Sequence, residues 1–319
     1  MRETSLEEIY KLAKKDNRVF FVGSDLGVGT LNKFKEEMPE RFFMEGISEG
    51  YLIGMASGLA LEGKIVYVNT ISTFITRRCY EQLAVDVCLH NLNVRMIGNG
   101  GGMVYAPLGP THMAIEDLSI MRAIPNMTIV VPADADEMRR LIPQTLGYPG
   151  PIYIRLAKGN DPIVTRDSIP FTIGKAVPMR EGRDALLVTT GITLKNALEA
   201  ADQLGAQGID VAVLHVPTVK PLDVEQLLDR VSAVRAIVSV EENTVIGGLG
   251  SAVAEIIAEA DFGPAKKFKR LGIPDVFPDR YGSQAALMDY YRISTREIIF
   301  SVTRLLDATS RSPTKSKIA

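Results

Sequence analysis

Cysteine, histidine and unbalanced charge are all scarce in this 319-residue chain, and each scarcity removes a class of function. Cys79 and Cys88 are the only cysteines. They fall within one helical-looking stretch, which argues against a disulfide or a metal pair, and two thiols cannot hold an iron–sulfur cluster. The formal net charge is -2, too near neutral to favour nucleic acid or an anionic membrane. Basic residues do not cluster among aromatics, so no nucleic-acid surface is expected. The apolar stretch around residue 50 is too short and too broken by glycine to span a bilayer. The N-terminus reads as a capped amphipathic helix, not a signal peptide, and a cytoplasmic location is expected. No repeat of solenoid period is found.

What is present is an ordinary globular composition, 46% hydrophobic and 23% charged, in a length that allows two domains. Ser5 and Glu8 read as the capping box of a first helix ending near Lys15. Short apolar strands over about 18–23, 41–45, 64–68, 93–98, 127–131 and 151–156 alternate with helical stretches. The longest of these is expected from about Thr73 to His90. Such alternation describes an α/β fold, a doubly wound, mostly parallel sheet covered on both faces, over residues 1–165. The pattern fades between Lys158 and Pro170, as in a linker. A smaller α/β domain follows over residues 172–308, and a polar tail, 309–319, is expected to be disordered.

One helix draws attention. Ser48 is a good N-cap, and Leu52, Ile53, Ala56, Leu59 and Ala60 form its buried face. Glu49 sits in its first turn, where an acid is favoured by the helix dipole in any protein. Gly50, Gly54 and Gly58 form a bare stripe, from which close approach of another backbone is expected.

Ligands in open α/β sheets bind beyond the C-terminal ends of the strands. Four loops are expected there: Asp25–Thr30, Glu45–Glu49, Thr70–Arg77 and Asn99–His112. His112 stands in Gly109-Pro-Thr-His112, a turn that holds an imidazole at a loop tip, suited to ligand binding or proton transfer. Phe74 lies among polar residues at a helix start. In the second domain, Gly247-Gly-Leu-Gly250 at a helix start could cradle a phosphate. It lacks the dinucleotide spacing, so tight helix packing is the preferred reading.

Together these residues resemble the transketolase family. Glu45-Gly-Ile-Ser-Glu-Gly50, Ser72-Thr-Phe74, Gly109-Pro-Thr-His112 with Glu116, Asp117 and Arg122, and Pro125 to Asp134 are similar to its pyrimidine-binding domain. Val219-Lys-Pro-Leu-Asp223, Glu241-Glu-Asn243, Gly247 to Gly250 and Pro274-Asp275 are similar to its C-terminal domain. The likeness covers about residues 5–307 and is greatest to the C-terminal subunit of split, two-chain transketolases. The Gly-Asp-Gly and following Asn with which the family's other domain holds a diphosphate through a metal are missing. The resemblance therefore implies a thiamine diphosphate site completed by a partner, an N-terminal transketolase-like subunit. That partner would hold the diphosphate and Mg2+ (or Ca2+), with two copies of each chain.

By the same resemblance, Glu49 exchanges a proton with N1′ of the cofactor's aminopyrimidine, and Phe74 stacks on that ring. Arg77 matches an Arg of 1-deoxyxylulose-5-phosphate synthase, Asp25 the acid near the cofactor, and His112 a histidine lining the substrate channel. Lys158 takes the place of a phosphate-binding Arg, and Arg155 could substitute for it. Leu108 stands where classical transketolases have an Asp that reads a donor hydroxyl, Gly100 where they have a second His, Gly29 where they have a Ser towards the acceptor phosphate, and Gly101 where the synthase has its substrate Arg. Each lost polar contact removes about 1–3 kcal/mol of recognition, so a substrate other than the standard pentose phosphates is expected. The implied reaction is ketol transfer between ketose and aldose. A 2-oxoacid dehydrogenase decarboxylase β chain and a non-catalytic scaffold subunit are the rival readings.

Overall fold

The apolar runs of the first half become parallel strands in the computed structural model, which describes residues 1–24, 29, 31–157, 159, 161–166 and 168–310. These are β1 (Val19–Gly23), β2 (Phe42–Met44), β3 (Ile65–Ile71), β4 (Val94–Asn99), β5 (Thr128–Val130) and β6 (Ile152–Leu156). They lie in the order β5-β6-β4-β3-β1-β2. Every residue of β4 and β6 is buried. That follows from cover on both faces: Leu6, Ile9, Phe34 and Leu141 pack on one, Leu52, Ile53, Ile75 and Leu118 on the other.

The second half supplies β7 (Val177–Arg180), β8 (Ala185–Thr189), β9 (Val211–His215), β10 (Thr218–Lys220), β11 (Ala236–Thr244) and β12 (Lys267–Ile273). Five of them form a sheet in the order β12-β11-β8-β9-β7, with β7 antiparallel at its edge. The sixth, β10, leaves its own half and pairs antiparallel with β5, giving the first sheet a seventh strand. Two α/β domains built on mostly parallel sheets are thus present, as the alternation implied. The residues do not announce the borrowed strand, because three positions carry no period.

The stretch between the domains is strapped down. Asp134 caps helix Ala135–Thr145 through the Glu137 amide. Its carboxylate also accepts from Thr165 N (2.6 Å), Val164 N (2.8 Å) and Thr165 Oγ1 (2.8 Å). Arg140 adds bonds to the Arg166 and Ile169 carbonyls.

Several local expectations are corrected. The first helix begins at Arg2, so Ser5 lies inside it and donates to Arg2 O, while Glu8 pairs with Lys11; no capping box forms. Ser48 does occupy the N-cap of helix Glu49–Leu61, yet its hydroxyl donates back to Glu45 O. The long helix expected to His90 is broken into Ser72–Arg77, Tyr80–Gln82 and a π-helical turn, Leu83–Cys88. The final helix runs to Ser310, so positions 309 and 310 are helical; the rest of the tail lies outside the described residues. No described helix is long and apolar enough to cross a membrane.

The glycine stripe behaves differently from its expectation. A Cβ on Gly50, Gly54 or Gly58 would meet nothing within 4 Å. The stripe faces away from the sheet, beside the exposed Tyr51, and among the described residues no backbone packs on it.

Glycine is required at the turn after β4. Gly100 and Gly102 have φ of +76° and +71°. A Cβ on Gly102 would lie 2.3 Å from Cδ of Glu242, a second-domain residue. Gly102→Ala combines left-handed strain with this clash and should destabilise the fold by about 2–4 kcal/mol. Thermal denaturation checks this; an unchanged melting temperature would contradict the close approach.

Candidate active site at the domain junction

The ends of β2, β3 and β4 converge, and the register explains why. Gly23 pairs with both Met44 and Asn69, and Ile71 with Asn99, so the chain leaves these strands at neighbouring points of one sheet edge. Asn99 fastens the edge by donating to Asn69 Oδ1 (2.8 Å) and Thr70 O (2.9 Å).

Glu49, Phe74 and His112 are brought to this edge. The Glu49 side chain is 2% exposed, and Arg78 Nη1 donates to its Oε2 at 2.7 Å. The Arg78 guanidinium lies over the Phe74 ring, 4.2 Å from its centroid. The His112 imidazole meets the Phe74 ring edge-on, with centroids 5.2 Å apart and planes inclined at 69°. Thr73 Oγ1 donates to the His112 carbonyl, and the Thr111 hydroxyl pairs with His112 Nδ1 at 2.9 Å. A buried carboxylate, an aromatic face and an imidazole are therefore linked in one row through Arg78.

The loop bearing His112 is held from beneath. Gly102 and Ala114 exchange backbone hydrogen bonds, closing the loop on itself. Met103, Ala106, Met113 and Ile115 are buried in the second domain's core rather than the first's. Arg155 fixes the same loop electrostatically: Nε donates to Asp117 Oδ2 (2.8 Å), and Nη2 to the Ala114 (3.0 Å) and Glu242 (2.7 Å) carbonyls. Glu242 completes the tie by accepting from Met103 N (2.8 Å) and from Gln284 of the second domain.

The other expected site residues are placed as follows. Arg77 is half-buried and turned to Glu116 and the Pro110 and Met113 carbonyls, so it braces the His112 loop and does not face Glu49. Arg155 is internal: its bonds go to Asp117 and two carbonyls, and it is placed as a strut between domains, not as a surface cation open to phosphate. Asp25 and Lys158 lie outside the described residues. The Gly247–Gly250 turn is filled from within, since Glu241 accepts from Leu249 N and Gly250 N, both at 2.8 Å. That agrees with the packing reading and leaves no phosphate cradle there. Cys79 and Cys88 are buried and free, their thiols pushed up to about 12 by burial.

Arg78, Tyr105 and Glu242 are not singled out by the sequence alone. Arg78 stands four residues after Phe74, a spacing that puts both on one side of a helical turn. Tyr105 lies against Gly100, where a Cβ would come 2.0 Å from its ring, and Arg155 against Gly101, at 2.5 Å. The two glycines that replace family side chains are thus overlain by side chains from elsewhere. Glu242 stands in the sequence only as part of a motif, with no signal of its contact to the His112 loop.

With this geometry in place, comparison with known proteins is informative. Residues 1–162 match the transketolase pyrimidine binding domain, and residues 174–298 the transketolase C-terminal domain. A 6-deoxy-6-sulfo-D-fructose transketolase subunit, SqwH, from a Clostridium species is 38% identical over 94% of this chain and 92% of its own length. A subunit of an apulose-4-phosphate transketolase from Actinobacillus succinogenes is 35% identical over 87% of this chain and 89% of its own. A solved structure of a split gene transketolase, described as an inactive beta4 tetramer, superimposes with a TM-score of 0.86 at 35% identity. The match covers 96% of this chain and 97% of the other. The chain belongs to the transketolase family and comprises that family's pyrimidine-binding and C-terminal domains.

The buried acids at the junction have a measurable signature. Burial pushes Glu241 and Glu242 from the usual 4.5 up to about 7, with Arg155 opposing the rise. It also raises Asp117. A raised folded-state value means that the folded chain keeps protons the unfolded chain has released. Stability is therefore fully present below about 4.5 and lost as pH climbs through about 7. Glu242→Gln should flatten that decline across the same window, read as the urea midpoint against pH. A decline as steep as that of the wild type would show that Glu242 does not titrate there.

Proposed function

We propose that this chain is the C-terminal subunit of a cytoplasmic two-chain transketolase. It would transfer a two-carbon ketol unit between a ketose and an aldose with thiamine diphosphate. The observation that carries this reading is the convergence of the buried Glu49 carboxylate with the half-buried Phe74 and His112 rings at one sheet edge. A carboxylate beside an aromatic face suits the aminopyrimidine end of the cofactor, one side hydrogen-bonding and the other stacking. Among the described residues, no group of three acids, histidines or cysteines could hold a metal ion. We assign Mg2+ and the diphosphate to an N-terminal partner subunit, in an assembly with two copies of each chain.

Bound thiamine diphosphate supplies a carbon nucleophile and an electron sink. In this assignment Glu49 hydrogen-bonds N1′ of the pyrimidine and holds or returns the proton there. Burial of its carboxyl keeps water from competing. Phe74 would carry the ring, and the acid role near the cofactor is assigned to Asp25 from the family likeness alone. His112 faces the substrate, where it bonds hydroxyl groups and moves a proton. Arg77 sets the height of the His112 loop. Lys158 is the candidate for a substrate phosphate or other anionic group.

The substrate is proposed to differ from the standard pentose phosphates. Leu108 and Gly100 stand at positions where other transketolases have an Asp and a His, Gly29 stands where they have a Ser directed at the acceptor phosphate, and Tyr105 and Arg155 overlie Gly100 and Gly101. The names of two relatives, which specify a sulfo-deoxy-fructose and apulose 4-phosphate, support a family branch with altered sugars.

Glu49→Gln and Glu49→Ala should lower ketol transfer by the reconstituted complex about 10²–10⁴-fold, with its assembly unchanged. Transfer from a panel of ketoses to an aldose acceptor measures this. Retained activity in Glu49→Gln would remove the proposed proton exchange.

A further inference from the structure

Two adjacent arginines at the site are held in opposite ways. Arg77 is pinned by Glu116 and by the Pro110 and Met113 carbonyls. Arg78 touches the site itself: its Nη1 is 2.7 Å from Glu49 Oε2, and its guanidinium covers the Phe74 ring at 4.2 Å. The Arg78 side chain is nevertheless 51% exposed, while its carboxylate partner is 2% exposed. An exposed side chain can rotate into solvent without disturbing the core. It lies at the break between helices Ser72–Arg77 and Tyr80–Gln82, outside either packed segment.

A guanidinium is planar, stacks on aromatic faces and donates from its edge to a carboxylate. An aminopyrimidine makes the same two demands, one edge on a carboxyl group and one face on an aromatic ring. The two groups therefore compete for Glu49 and Phe74. We propose that Arg78 is a tethered competitor for the pyrimidine site, which must swing away from Glu49 and Phe74 before thiamine diphosphate can bind. This inference rests on the reading of Glu49 and Phe74 as the pyrimidine-binding pair.

Arg78 then sets how much of the complex is open to cofactor, and the apparent affinity falls by that fraction. An exposed ion pair and one cation–π contact are each modest. Removing both should tighten cofactor binding roughly three- to thirty-fold. Arg78 also shields the Phe74 face and the carboxylate from other ligands until the cofactor arrives.

The test is calorimetric titration of thiamine diphosphate with Mg2+ into the complex of this chain with its diphosphate-binding partner. Wild type, Arg78→Ala and Arg78→Gln are compared at equal assembly. Both variants should bind more tightly than wild type, Arg78→Ala the more so. Gain of affinity cannot arise from misfolding. Should Arg78→Ala melt early, Arg78→Gln, which keeps much of the side-chain length, decides. Equal or weaker binding in a well-folded variant would overturn the competition and make Arg78 a contact of the loaded site. If the wild-type complex does not bind the cofactor at all, the reading of the site falls, and this inference with it.

Discussion

The structure depends on a buried guanidinium at the domain junction. Arg155 leaves an interior strand of the first sheet, pairs with Asp117 and spans to carbonyls of the His112 loop and of β11. Removing one partner of such a pair leaves an uncompensated buried charge, at a cost of about 3–5 kcal/mol. Glu242 reaches the same loop from the other side, and four apolar residues of the loop lie in the second domain's core. The position of His112 is therefore set by two domains at once. The second domain supports the site directly, and Lys220, on the borrowed strand, adds bonds to the Arg122 and Ile124 carbonyls.

That construction divides the labour. The first sheet supplies Glu49 and Phe74 from its strand ends, in helices that its own core fixes. The loop that bears His112 is held by the junction instead. Neighbouring arginines show the contrast in miniature, Arg77 serving as brace and Arg78 as movable cover. Buried acids crowd around the junction, and their raised proton affinity follows from burial.

Much of this was legible in the residues. Apolar runs alternating with helical stretches announced both sheets, because strands buried on two faces are mostly apolar and their few polar residues, such as Asn99 and Arg155, do not break the runs. Glu49, Phe74 and His112 were singled out by their loops and by the family likeness, and the structure places them at one sheet edge. What escaped was chiefly long-range. No local pattern announces that Arg155 folds inward to Asp117, or that Gly101 and Gly102 are small because side chains from β6 and β11 lie on them. Ser5 and Glu8 formed a plausible cap, but the helix started earlier. The close approach expected at Gly50, Gly54 and Gly58 is not made by any described residue of this chain.

The central claim is that this chain holds one half of a cofactor site. Titration of thiamine diphosphate and Mg2+ into the purified chain, alone and then with the diphosphate-binding partner, tests it most directly. The account requires no binding by the chain alone and saturable binding by the complex. Saturable binding by the chain alone would contradict it, because the diphosphate would then be held by residues that the account assigns to the partner.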